Sequence, residues 1–364
     1  MSYGIGIYDA KGVLSLTDGW YPMSYKGTIS FTVGYISAPD VVRSFSIPAG
    51  CTVVIQPAGP SVQHIAAGGG FSGYVLGSYI SGGTVTIRQQ LWYGYSGSPL
   101  IGQVVNFNVY AYYPSTANSG DYGAFFAGSG VSVALTNTNT LNVLRFKGEW
   151  NTASSDFTVS TGISASEPEP SIYLSDTGYN CTACYVFNSG GIWHVRILRN
   201  GGLYKIDFTV SSEPPRNGLV RLAAFSKPIQ SVSGWGFALY GQDGSVAFTS
   251  SQRPEMPRGF LYSPSPSISG PPGTSAWSAI ADANPQAVPS FGIIKPMIKA
   301  RIIGISKISF LPFPIGTWLK SNGVFTCGVM YKGEGSMPVG STFGYWGENS
   351  SNSPIQYINE YDYF

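Results

Sequence analysis

From Val104 to Tyr112 the chain reads VVNFNVYAY, with Phe107, Val109 and Ala111 on one side of an extended backbone and Asn106, Asn108 and Tyr110 on the other. Alternation with period two belongs to a strand, because successive side chains of an extended chain point to opposite faces. The same style recurs along the chain, in residues 28–36 (TISFTVGYI), 44–57 (SFSIPAGCTVVIQP), 83–95 (GTVTIRQQLWYGY), 141–150 (LNVLRFKGEW), 193–210 (WHVRILRNGGLYKIDFTV) and 219–225 (LVRLAAF). These runs are spaced by Gly, Pro, Ser and Asp, the residues that turns use. The best helical candidates, 274–285 and 293–308, are short or broken by proline. An all-β fold is expected, built as tandem β-sandwich-like modules with long Pro/Gly-rich loops.

Composition agrees with many short strands. The 364 residues include 47 Gly, 25 Pro and 24 Tyr, and only 10% are charged, against about a quarter in ordinary globular proteins. A disordered chain would be poor in aromatics and rich in charge, the opposite of this one. A net charge of +2 is too small to suggest a general nucleic-acid binder. One basic region stands out, with Lys295, Lys299, Arg301, Lys307, Lys320 and Lys332 and no acid between Asp282 and Glu334. It reads as a half-solvated sheet face, a subunit contact, or a surface for an anionic partner. The start, MSYGIGIYDAKG, has neither a basic nor an apolar signal region, and no apolar run reaches the length of a membrane span. The expectation is a protein made in a cytoplasm without a signal peptide and not inserted in a membrane.

Residues 3–17 read YGIGIYDAKGVLSLT, and residues 235–249 read WGFALYGQDGSVAFT. At one offset of 232 positions Gly4 meets Gly236, Tyr8 meets Tyr240, Gly12 meets Gly244 and Thr17 meets Thr249. Each copy alternates, turns at DAKG or GQDG, and alternates again, which predicts a β-hairpin. A fainter third copy, YGAFFAGSGVSVALT at 122–136, has one residue fewer between its glycines. A hairpin alone is marginal in water and must cover its apolar face with more sheet. The hairpins are therefore expected to open modules spanning 1–115, 116–218 and 219–364. Residues 165–171 and 211–218, rich in Pro and Glu, read as extended connectors. Residues 254–289, with eight prolines, read as a long exposed loop.

Catalytic patterns are missing. With only His64 and His194 available, there is no nucleophile–base motif. Cys181 and Cys184 form a C-x-x-C without further ligands at metal spacing, and Cys51 and Cys327 stand apart, so no metal site or disulfide framework is expected. The glycines of AAGGGFSG (66–73) lack the Lys-Ser/Thr of a phosphate loop. Glycoside hydrolysis needs two facing carboxylates, and nothing pairs Glu149, Asp156, Glu167 or Asp207. No enzyme and no cofactor are expected. Aromatic clusters carry the remaining signal. Trp92, Tyr93 and Tyr95 are candidates for a glycan-contacting surface, since Tyr and Trp give rigid amphipathic contact area. Tyr357, Tyr361, Tyr363 and Phe364 close the chain, and so aromatic a tail is expected to pack on a neighbouring subunit.

At the pattern Tyr/Trp-Gly-x-x-x-Tyr-x-x-x-Gly-x-hydrophobic-x-hydrophobic-Thr, the chain resembles β-rich virion proteins of tailed bacteriophages encoded among the tail genes. The resemblance covers the two hairpins directly and the rest through composition. It implies a tail-tip or tail-fibre component in the virion, arranged as a homo-oligomer, with a trimer favoured, beside other phage tail proteins and contributing to attachment at a host-surface glycan. It supplies no binding residues. The alternatives are a glycan-binding adhesin or lectin-like module, and a tailspike that hydrolyses glycans.

Overall fold

The computed structural model describes residues 7–8, 14–16, 23–34, 39–45, 52–57, 62–67, 70–81, 83–92, 102–112, 123–128, 131–136, 140–201, 213–231, 237–240, 243–261, 286–289, 291–299, 304–308, 311–329 and 355–364. Among them strands dominate, every named strand pair is antiparallel, and the one helical element is the 3-10 turn Glu360–Asp362. The chain is all-β.

In the N-terminal part, one sheet runs Thr140–Leu141, Ser24–Thr32, Val104–Tyr112, Thr52–Pro57. A second runs Val41–Ser44, Thr84–Trp92, Gly70–Ser81, Val62–Ala67. Ile29, Ile55, Val85, Ile87, Phe107 and Val109 fill the space between them. The alternation read at 104–112 has the expected outcome, for Tyr110 faces away from that core and packs with Met23 and Val54.

The C-terminal sandwich is larger. One sheet has the order Val143–Thr152, Gly218–Ser226, Ser171–Asp176, Pro296–Lys299, Ile355–Asn359, Gly259–Leu261. The facing sheet runs Asp156–Ser164, Ile192–Asn200, Cys181–Ser189, Leu311–Leu319, Val324–Val329, Gln286–Ala287, with Gly304–Ile308 also paired to Leu311–Leu319. Ile172, Leu174, Val186, Val195, Ile197, Val220 and Leu222 pack between the two. The link from Ser189 to Ile192 is a two-residue turn in which Gly190 and Gly191 have φ of 61° and 77°. Two successive positive φ values match the right-handed twist of the strands, and glycine reaches them without strain.

The twin hairpins agree residue for residue. In the first, Ile7 faces Leu16 and Tyr8 faces Leu14, with a register shift between the two pairs. In the second, Leu239 faces Phe248 and Tyr240 faces Val246, with the shift at the equivalent place. The third copy is also a hairpin, but Gly123–Gly128 pairs with Val131–Thr136 in unbroken register, without the bulge.

Three expectations are corrected. The boundary at 218/219 falls within the strand Gly218–Ser226, which is bonded on both sides by strands from the 116–218 segment. That segment and 219–364 therefore share both sheets, and the first sandwich takes its edge strand from 140–141, beyond residue 115. Residues 254–257, read as the start of an exposed loop, are buried between the sandwiches. Met23 N–H donates to the Glu255 carbonyl at 3.0 Å, and Glu255 N–H to that of Asn142 at 2.7 Å. The buried Glu255 carboxylate accepts from Asn142 Nδ2 at 2.8 Å and from the Tyr173 hydroxyl at 2.6 Å. Residues 169–171 likewise lie at this junction, where Ser171 Oγ donates to Gln56 Oε1 at 3.1 Å. Prolines suit such packed extended segments as well as they suit linkers, because both lack a backbone ladder to interrupt.

Candidate functional site: an aromatic-rimmed cleft

A cleft of about 260 Å³ opens on the C-terminal sandwich, lined by three separate segments. The first is the turn 177–180 between the strands Ser171–Asp176 and Cys181–Ser189. Asp176 organises it, accepting from Gly178 N–H at 2.8 Å and from Asn180 Nδ2 at 2.9 Å. Beneath lies the fully buried Arg199, whose Nε donates to Asp176 Oδ2 at 2.8 Å and whose remaining nitrogens donate to the carbonyls of Thr152, Ser154 and Arg216. A guanidinium fork so fully matched holds its geometry rigidly. The turn thrusts Tyr179 outward at φ 50°, a left-handed conformation that a bulky side chain rarely adopts.

The second wall is the tight turn 291–294, closed by the Phe291–Ile294 bridge and leading into Pro296–Lys299. The Phe291 ring lies against Gly323, where a Cβ would approach it to 2.5 Å. The third wall is the 3-10 turn Glu360–Asp362. Asn359 caps it, accepting from Tyr361 N–H at 3.4 Å and from Lys295 N–H at 3.1 Å. The buried Glu360 carboxylate bonds Lys295 Nζ at 2.6 Å, Arg221 and the Ser175 hydroxyl. Behind it Arg258 holds Asp362 at 2.8 Å. The Asp362 carboxyl is nonetheless raised above its ordinary range, because desolvation outweighs the lowering by the arginine.

These devices leave three rings at the rim, Tyr361 at 67% exposure, Tyr179 at 37% and Phe291 at 36%. The lining also takes in Ser175, Thr177, Asn180, Thr182 and Thr317, together with the apolar Leu174, Ile298 and Leu319. Trp318 flanks the cleft, donating to the Tyr179 carbonyl at 2.7 Å, with Lys320 Nζ 5.0 Å above its ring.

The terminal aromatics divide. Tyr361 faces solvent at the cleft. Tyr357 and Tyr363 are buried in the chain's own core, and Phe364 packs against that core under Lys147 and Arg221, whose cations lie 5.1 and 5.3 Å from its ring centre. The expected packing of Tyr357, Tyr363 and Phe364 on a neighbour is thus replaced by packing within the chain, because Ile355–Asn359 is an inner strand of the six-stranded sheet. Trp92 ends the strand Thr84–Trp92 opposite Gly73, while Tyr93 and Tyr95 lie outside the described residues. Tyr179 and Phe291 were missed in the sequence, being single aromatics beside turn glycines with no cluster around them.

Among the described residues each candidate carboxylate is held by its own arginine. Glu149 is bonded to Arg221 at 3.0 Å, Glu167 to Arg145 at 2.8 Å, and Asp156 to Arg196, while Asp207 lies outside the described residues. Cys181 and Cys184 are buried thiols three positions apart on one strand, so their side chains leave on opposite faces. His194 stacks on Phe187 at 5.5 Å, and His64 holds a strand position opposite Gly73. Among the described residues no group of three metal-ligating side chains converges, and no helix is long and apolar enough to cross a membrane. Comparisons with protein-family models, with curated proteins and with solved structures find nothing that matches this chain.

Proposed function

We propose that the chain is a structural protein of a phage tail end, a tail-tip or tail-fibre component that works in the virion as a homo-oligomer beside other tail proteins. The observation that carries this reading is the twin bulged hairpin. The chain resembles tail-gene virion proteins at this pattern, and the two copies repeat the register down to the bulge. They do not repeat a chemistry, since Asp9 in one copy is Gly241 in the other. Duplicated architecture without duplicated chemistry fits a part that builds length or surface. The arginine-bound carboxylates suit a non-catalytic role. A second reading, a stand-alone glycan-binding adhesin, is favoured by the aromatic-rimmed cleft.

Immunogold microscopy of purified phage particles, with antibody raised against the recombinant chain, tests the proposal. Label concentrated at tail ends, with the chain present in the mass spectrum of the particles, is expected. Particles that carry neither would overturn it.

A further inference from the structure

We infer that the cleft beside Tyr361 is a saccharide-binding site that seats one pyranose ring of a glycan. The inference stands on the cleft alone and does not depend on the virion reading. Three lines meet here.

The first is the rim. Tyr179, Phe291 and Tyr361 come from three distant segments, and each ring is held at the surface by its own device: the Asp176–Arg199 pair, the contact with Gly323, and the Asn359 cap. Holding Tyr179 at φ 50° costs stability, and backbone strain of this kind persists where the surroundings impose it and gathers at binding sites. The C–H face of a pyranose carries a weak positive potential that complements the negative face of an aromatic ring.

The second is the polar part of the lining. Ser175 Oγ donates to Glu360 and Thr317 Oγ1 to the Thr182 carbonyl, so both hydroxyls keep lone pairs to accept with. Thr177 Oγ1 accepts from Leu219 N–H at 2.9 Å and keeps its own proton to donate. An apolar side chain from a protein partner would strip water from these groups and return nothing, at a cost for each. A ring of hydroxyls, donors and acceptors at once, replaces that water bond for bond.

The third is charge and size. Glu360 and Asp176 are already satisfied by Lys295, Arg221 and Arg199, so among the described residues no acid at the cleft awaits a cation. Lys295, which lines the cleft, donates one Nζ–H to Glu360, and its ammonium has two further N–H groups, which suits sugar hydroxyls and acidic sugars and disfavours amino sugars that carry a free ammonium. About 260 Å³ lies just under the range for drug-sized ligands, the right scale for a sugar unit.

Saturation-transfer NMR on the full chain tests this, with the methyl glycosides of glucose, galactose, mannose and rhamnose, N-acetylglucosamine and glucuronic acid as probes. Transfer to the ring protons of at least one is expected. Tyr361→Ala should weaken that binding at least tenfold, Tyr361→Phe should keep it, and Tyr240→Ala, an exposed tyrosine outside the cleft, should leave it unchanged. Tyr361 is solvent-facing, so the variants should fold, as circular dichroism will verify. Absence of transfer from every probe, or transfer indifferent to Tyr361→Ala, overturns the inference. So does a Tyr361→Ala variant that loses self-association in sedimentation while binding no sugar, which would make the rim a contact between copies.

Discussion

Tyr363 shows how much one side chain can carry. Its buried hydroxyl donates to the Pro254 carbonyl at 2.8 Å and accepts from Met256 N–H at 2.9 Å, while its ring stands edge-on to Phe225 at 5.0 Å. Burial pushes the phenol well above its ordinary value of 10, and burial also raises Tyr185 and Tyr357. The sign follows from which state releases protons first. Below pH 10 both states hold them. Above it the unfolded chain releases protons that the fold retains, so stability is lost as pH rises towards the folded values, by up to about 1.4 kcal/mol per unit for each group. Tyrosinate absorbance and loss of circular dichroism are therefore expected to rise together above pH 10. Ordinary titration of every tyrosine with the fold intact would refute this. Gln356 is the opposite case, fully buried with neither amide atom hydrogen-bonded among the described residues. An unmet buried polar group costs about 1–3 kcal/mol. Gln356→Met should then raise the unfolding free energy in urea by about 1 kcal/mol, and a loss of stability would show that the amide is satisfied.

Among elements, the hairpins were the most legible in the sequence, and they show where legibility stops. Alternation and turn glycines reveal strand, turn and strand, because these are decided within a few residues. The bulge after Leu239 was not visible, since a bulge is a relation between two strands and leaves no local mark. Without it the run Val246–Thr249, buried at every position, would look like an inner strand rather than half of a ribbon. Residue-level consequences follow from the turn. Gly244 has φ 78° and open space where a Cβ would stand, so Gly244→Ala carries the conformational cost alone. That cost is about 1–2 kcal/mol, read as a lowered midpoint in thermal unfolding. Replacing 241–245 by the residues 9–13 should be nearly neutral by comparison, because both loops join strands in the same register. A graft more damaging than Gly244→Ala would mean that the two hairpins differ in more than sequence.

For the whole molecule, what the sequence hid is long-range pairing. Proline-rich stretches and a terminal aromatic tail look like surface features when read locally, yet 254–257 are buried between the sandwiches and 355–364 add a strand and a buried tyrosine to the six-stranded sheet. The tail's acids are used within the chain, Glu360 on Lys295 and Asp362 on Arg258. Deleting 355–364 should accordingly do more than lower an oligomeric state. The strand Ile355–Asn359 lies between Pro296–Lys299 and Gly259–Leu261, so its loss exposes two ladders at once. Burial of Ile355, Tyr357, Ile358 and Tyr363 is worth about 1.5–3 kcal/mol each. Together that rivals the whole stability of a domain, about 5–15 kcal/mol. Arg258 and Lys295 would also lose Asp362 and Glu360, and Arg221 would keep only Glu149 of its two carboxylates. Hydrogen exchange on residues 1–354 should show protection gone from the strands Ser171–Asp176 and Gly218–Ser226. The strands Ser24–Thr32 and Val104–Tyr112 should keep theirs, because their ladders and the core beneath them lie within the N-terminal sandwich. If the truncated chain instead keeps native protection throughout and only fails to assemble, the tail is an interface arm after all, and its place in the sheet is wrong.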